Sequence, residues 1–263
     1  MRASPAPAEF SPVPARTLAH VFLRSLFLQA SWNRRGMQNL GFAYAIAPAL
    51  RALYPDPTRR EEALLRHMGF FNCHPYMAAA ILGGAIHHEE RVAAGLEPER
   101  APQDYKLTLQ GPLAAIGDGF FWTALRPFFG ALGAVGALVL GLGAIWAVVI
   151  VYNAIHLSLR IALFRAGYTR GDELVPLLAR LTLPVVADRL RTAGAGLAGV
   201  AAGIFVLRGA LSLGPWAGVL AALLAVLGYV ALSRGTRLVT TVYLAAAAGT
   251  GTAALLAHLP GGR

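Results

Sequence analysis

The sequence predicts an all-α integral membrane protein, and three observations carry that prediction. Of its 263 residues 56% are hydrophobic and only 14% charged. No Asp, Glu, Lys or Arg falls within 127–159, 209–233 or 238–260. The charges that remain flank these runs. Each run exceeds the roughly 20 residues that a helix needs to cross ~30 Å of hydrocarbon, and a soluble domain of ordinary composition is excluded. A formal net charge of +10 would suit nucleic acid if it formed one dense stripe laced with aromatics. Flanking apolar segments, it instead sets membrane orientation, so no nucleic-acid partner is expected.

In chain order, residues 1–15 are rich in Pro and Ala and read as a disordered tail. Residues 16–263 read as one membrane domain, in which 16–130 bear the motifs and 127–263 the transmembrane helices. From Arg16 to Trp32, Arg16, His20 and Arg24 recur every fourth residue among Leu18, Val21, Phe22, Leu26 and Phe27. This predicts an amphipathic helix lying in the membrane interface.

Runs at 36–50, 75–86 and 107–117 are too short or too polar for ordinary spans, so interrupted or re-entrant helices are expected there. Two charged stretches read as aqueous connections. One is 51–69, with a turn at Asp56-Pro57-Thr58 and a capping box from Thr58 to Glu61. The other is 89–106. About four full spans should follow, drawn from 127–159, 191–213, 209–233 and 238–260. Gly214-Pro215 turns a hairpin beside Trp216, and 233–237 makes the last turn. Basic residues in 157–191 and 233–237 place those connections in the cytoplasm and the C-terminus outside.

Three polar constellations interrupt the apolar background. In FNCHPYMAAAILGG (71–84), Pro75 suits the first position of a helix that Asn72 or His74 would cap. A metal site joining His74 to His87-His88-Glu89-Glu90 is disfavoured, because a helix from Pro75 to Glu90 separates its ends by about 20 Å. No HExxH or paired CxxC spacing occurs either. The single cysteine, Cys73, permits no intrachain disulfide, and beside His74 it lacks a third orienting group. Neither a catalytic residue nor a cofactor is expected.

The second constellation is GPLAAIGDGFFWTALRP (111–127), where Asp118 stands alone among glycines and aromatics. A carboxylate there pairs with Arg126 or faces a polar cavity. With Trp122 it would suit a sugar, whose hydroxyls want hydrogen-bonding groups and whose C–H face wants an aromatic ring. The third is QASWNRRGMQNLGF (29–42), whose Asn33, Gln38 and Asn39 suit neutral polyhydroxy ligands or subunit contacts.

Together these stretches, with FLRSLFLQASWN (22–33), MQNLGFAYAIAPAL (37–50) and more loosely YNAIHLSLRIALFRAGYTRG (152–171), resemble the IID component of the mannose/fructose/sorbose family of the bacterial phosphoenolpyruvate-dependent sugar phosphotransferase system. The resemblance implies a multi-pass subunit of the bacterial inner membrane. Such a subunit pairs with a IIC membrane subunit, as an oligomer of IIC/IID pairs, to translocate a hexose. Phosphoryl transfer would belong to cytosolic IIA and IIB partners, so the chain itself would not be an enzyme. Asn72, His74, Pro75, Tyr76, Gly117, Asp118, Trp122 and Arg126 carry over as motif positions, and of these Asn72, His74, Asp118, Trp122 and Arg126 join Asn33, Gln38 and Asn39 as candidate substrate-binding residues. The pattern departs at Arg34-Arg35-Gly36, where an acidic residue is usual, at Cys73, and at His87-His88. A IID-like assembly or regulatory subunit without sugar flux is the rival expectation that the first departure feeds.

Overall fold

The computed structural model describes residues 12–180, 182–213 and isolated positions from 219 to 234. The expected hairpin at Gly214-Pro215 and Trp216, the 238–260 span, nearly all of the 233–237 turn and most of the 1–15 tail lie outside them. Among the described residues the regular structure is helical, with two isolated bridges, Asn33 with Met37 and Met37 with Phe71. Residues up to Gly196 form one compact unit and those from Leu197 another.

The first unit is arranged around α4 (Ala78–Ala93), whose residues Ala78–Ile86 are all buried. Apolar on every side, this helix must be covered on every side. Neighbouring helices are α1 (Ala15–Ser25), α2 (Asn39–Leu53), α3 (Pro57–His67) and α5 (Ala101–Gly117), followed by the α6 (Arg126–Leu140) and α7 (Gly143–Arg170) pair. Two glycines permit the closest approach. A Cβ on Gly83 would overlap the Phe164 carbonyl of α7, and one on Gly167 would overlap the Ala80 carbonyl of α4. Small residues facing each other let helix backbones pack in this way.

Among the described residues, three helical stretches are long and apolar enough to cross a membrane: Ala101–Leu140, Gly143–Glu173 and Leu183–Arg208. The last lies in α9 (Leu183–Leu213), after the short α8 (Leu174–Arg180).

Several sequence expectations need correction. The 107–117 run is not an interrupted helix. It belongs to a 40-residue helical stretch that stays continuous across Asp118 because residues 118–125 adopt π-helical geometry. The 127–159 run, conversely, is two helices. Gly141 takes φ 88°, a left-handed conformation that glycine adopts without penalty, and the chain reverses there from α6 to α7.

The aqueous loop expected over 89–106 is shorter, covering 94–100, because Glu89 and Glu90 belong to α4 and Lys106 to α5, all three buried. The capping box at Thr58 is replaced by Asp56, whose carboxylate accepts from the Arg59 amide at 2.9 Å. Neither Asn72 nor His74 caps α4, which begins three residues later than predicted after a turn at 75–77. The predicted N-terminal helix ends at Ser25 rather than Trp32, and the chain continues as turns to Ser31.

Candidate functional site

The Asn72-Cys73-His74 segment is held by the chain that precedes α2. Gln38 is buried, and its amide closes a two-point clip on the Cys73 backbone, donating to its carbonyl at 2.8 Å and accepting from its amide at 3.0 Å. Gln110 accepts from the Asn72 amide at 3.1 Å. These bonds fix a segment that has no regular hydrogen-bonding pattern of its own. His74 then packs against Gly117 of α5, where a Cβ would overlap its side chain.

His74 sits in a cluster of rings. It stacks on Phe121 at 4.9 Å between centroids and 13° between planes, and lies 4.8 Å from Trp122. Tyr76 stacks on His156 of α7 at 4.4 Å and 12°. Tyr152, one turn from His156 on the same face of α7, completes the group at 5.3 Å. Burial, and then the positive charge of Arg160, push His74 down to about 4, so its ring is neutral at pH 7.

That neutral ring has a definite tautomer. The Tyr76 amide donates to His74 Nδ1 at 3.2 Å, which leaves the proton on Nε2. His156 Nε2 lies 2.9 Å from Asn153 Oδ1, so it is the protonated nitrogen and Nδ1 is left as an acceptor. Among the described residues, His74 Nε2, His156 Nδ1 and the Tyr152 hydroxyl are buried without a hydrogen-bond partner. A buried polar atom left unpaired costs about 1–3 kcal/mol. The cluster therefore presents a donor, an acceptor and a hydroxyl that a polar guest would satisfy.

The π-helical segment supplies the adjoining surface. Asp118, Trp122 and Arg126 are all exposed on it, and the Arg126 guanidinium lies 5.2 Å from the Trp122 ring centroid. The expected Asp118–Arg126 ion pair does not form: Arg126 stacks on the indole, and Asp118 faces outward. The Gly119 carbonyl accepts from the Thr123 hydroxyl at 2.7 Å and from Arg191 of α9 at 3.1 Å. Departures of this kind from α-helical pairing recur at functional sites.

The eight sequence candidates thus divide. His74 and Trp122 meet, with Arg126 against Trp122 and Asp118 on the same face, while Asn72 leads into the cluster. Gln38 is a buried positioning group. Asn33 and Asn39 form a separate surface turn, where Asn33 Nδ2 donates to Asn39 Oδ1 at 3.0 Å and Asn33 Oδ1 accepts from the Gly36 amide at 2.8 Å. Arg35 belongs to the groove above this turn. Phe121, Tyr152 and His156 were missed. The i, i+4 spacing of Tyr152 and His156 within an otherwise apolar helix was the available signal.

Residues 13–206 match the family model for the PTS system mannose/fructose/sorbose family IID component. The chain belongs to this family. As an IID component it is a multi-pass protein of the bacterial cytoplasmic membrane. It is 42% identical over 157 residues to the PTS system mannose-specific EIID component of Escherichia coli K12, covering 59% of this chain and 56% of that one. It is 37% identical over 161 residues to the fructose permease IID component of Bacillus subtilis 168, covering 60% and 58%. The IID chain therefore spans a little over half the length of the curated relatives it matches.

Solved structures are similar as well. One, described as a membrane protein, has TM-score 0.65 and 34% identity over 73% of this chain and 71% of that one. Another, a chain in the cryo-EM structure of mannose transporter ManYZ with microcin E492, has TM-score 0.56 and 28% identity over 94% and 98%.

Proposed function

We propose that this IID chain is the membrane subunit of a sugar permease which, with a IIC partner, binds and translocates a hexose of the mannose/fructose/sorbose class. Phosphorylation would be supplied by IIA and IIB. The observation that carries the reading is the set of unpaired buried polar atoms on His74, Tyr152 and His156 among aromatic rings. A sugar needs donors, acceptors and an aromatic face together, and Trp122 and Asp118 adjoin the cluster.

The exposed face of the long helix supports the pairing. Gly111, Ala115, Asp118, Trp122, Arg126 and Gly130 form one exposed line along it, and a Cβ at Gly111 or Gly130 would meet nothing within 4 Å among the described residues. Small residues with open space beside them suit a helix of a IIC subunit. In this arrangement 16–130 form the translocation part and 127–263 the membrane helices. Short α2 and α4 re-enter without crossing, and the arginines of 157–191 lie on the cytoplasmic side.

Labelled mannose, fructose, glucosamine and sorbose would be supplied to cells expressing the chain with its IIC partner, as wild type and as Asp118→Asn. Accumulation of one sugar phosphate, reduced at least tenfold by the substitution, is the expected result. No accumulation of any sugar by an intact complex would sink the permease reading in favour of an assembly or regulatory subunit.

A further inference from the structure

Away from the ring cluster, a groove of about 470 Å³ runs between α1 and the last turns of α7. Its walls are Leu18, Phe22, Ile161 and Phe164, and its rim carries Arg165 and Thr169. The α1 helix is firmly seated here. Phe22 meets Phe164 edge-on at 5.7 Å, and the Arg160 guanidinium donates to the Ser25 carbonyl. The Tyr168 hydroxyl is turned away to Glu90 at 2.7 Å, so the groove floor beside it stays apolar.

Depth along α7 identifies the solvent that this groove meets. At ~1.5 Å per residue, Arg165 stands about 33 Å along the helix axis from Gly143. That is close to the ~30 Å thickness of the hydrocarbon core, so with Gly143 near one surface Arg165 lies at the head groups of the other. The apolar walls extend one turn back into hydrocarbon. Arg165 and, beside groove-lining Ala15, Arg16 are both exposed. Neither is in a salt bridge among the described residues.

We propose that this groove binds one acyl chain of an anionic phospholipid, whose phosphate is held by Arg165 with Arg16 beside it. An apolar slot ending in unpaired guanidinium groups at head-group depth matches a molecule with a hydrocarbon tail and a negative head. A zwitterionic lipid of the same chains fills the slot but leaves the positive rim uncompensated.

The test is native mass spectrometry of the purified IIC/IID complex in detergent. Phosphatidylglycerol or phosphatidylcholine of identical acyl chains would be added to wild type, Arg165→Gln and Ala19→Trp. Wild type should retain at least fivefold more phosphatidylglycerol than phosphatidylcholine. Arg165→Gln should abolish the preference, and Ala19→Trp, which fills the groove from an exposed position, should reduce both lipids. Inorganic phosphate at millimolar concentration should displace neither. Equal retention of the two lipids, unchanged by Arg165→Gln, overturns the proposal. Displacement by inorganic phosphate also overturns it, by making the rim a free-anion site. So does Ala19→Trp if it releases the partner subunit without changing lipid retention, because the occupant is then protein.

Discussion

Glu89 and His67 face each other at 2.8 Å with neither side chain open to solvent. The same carboxylate accepts from the Tyr54 hydroxyl at 2.7 Å, and the Arg66 guanidinium pairs with it by charge, Nε lying 3.1 Å away without hydrogen-bond geometry. On the far side of the imidazole, Lys106 Nζ approaches His67 Nδ1 at 3.4 Å and donates to the His67 carbonyl at 3.2 Å. The ammonium also lies over the Phe42 ring at 4.3 Å. One buried network thus joins α3, α4 and α5 to the end of α2.

Removing one member of such a network leaves its partners charged and unpaired. Glu89→Ala should destabilise the chain by roughly 3–5 kcal/mol, the usual cost of breaking a buried ion pair from one side. Glu89→Gln, which keeps the shape and an acceptor for Tyr54, should lose less. Thermal unfolding of the detergent-solubilised chain ranks the two. Equal midpoints for wild type and Glu89→Ala would show that the network adds nothing to stability.

Acidification probes the same place. Burial, more than the Lys106 and Arg66 charges, holds the His67 imidazole below its ordinary range, while its bond to Glu89 opposes the shift. An unfolded histidine takes up a proton near pH 6.5, whereas the folded form does so only at lower pH. Stability from this residue is therefore complete above about pH 6.5 and declines as pH falls from there towards the folded value. The unfolding midpoint should drop between pH 7.5 and 5.5. His74, pushed down to about 4, acts with the same sign, so His67→Gln should flatten the slope in part. An unchanged slope in that variant would remove His67 as its source.

The crossing of α4 and α7 makes a steric prediction. Since a Cβ on Gly83 would overlap the Phe164 carbonyl, Gly83→Ala forces two backbones apart and should cost about 1–3 kcal/mol. Gly95→Ala is a different case, with open space but φ 74°, so only backbone strain of about 1 kcal/mol opposes it. Midpoints measured on both variants in the same detergent should place Gly83→Ala lower.

How far the sequence reveals this molecule depends on what each residue reports. The charge-free run at 127–159 marked apolar helix, because hydrocarbon tolerates few alternatives, but not the spans themselves, which reach beyond it on both sides and divide at Gly141. Where that run turns was less legible. Gly141 is one of 29 glycines, and nothing local distinguishes it from Gly136 or Gly143. Glu89, Glu90 and Lys106 misled for a related reason. Charge normally signals water, yet these three are paired inside the protein, and only tertiary contact between separate helices reveals it. His74, Trp122 and Asp118 stand out through two separate motifs, and that His74 meets Trp122 is known only from the fold. Tyr152 and His156 belong to a helix far along the chain, and their place beside Tyr76 is a property of the fold.

Trp122 is 36% exposed, and its indole touches His74 on one side and Arg126 on the other. Its exposure means that substitution should leave stability nearly unchanged, which separates a binding role from a packing one. Losing an aromatic face at an exposed site costs about 1 kcal/mol, equivalent to roughly a fivefold rise in KM for the transported sugar. Trp122→Phe retains a ring for both neighbours and should stay near wild type. Trp122→Ala should show the rise with an unaltered unfolding midpoint. Should its midpoint fall while KM holds, Trp122 is a packing residue, and the sugar-facing surface must be sought deeper, among His74, Tyr152 and His156.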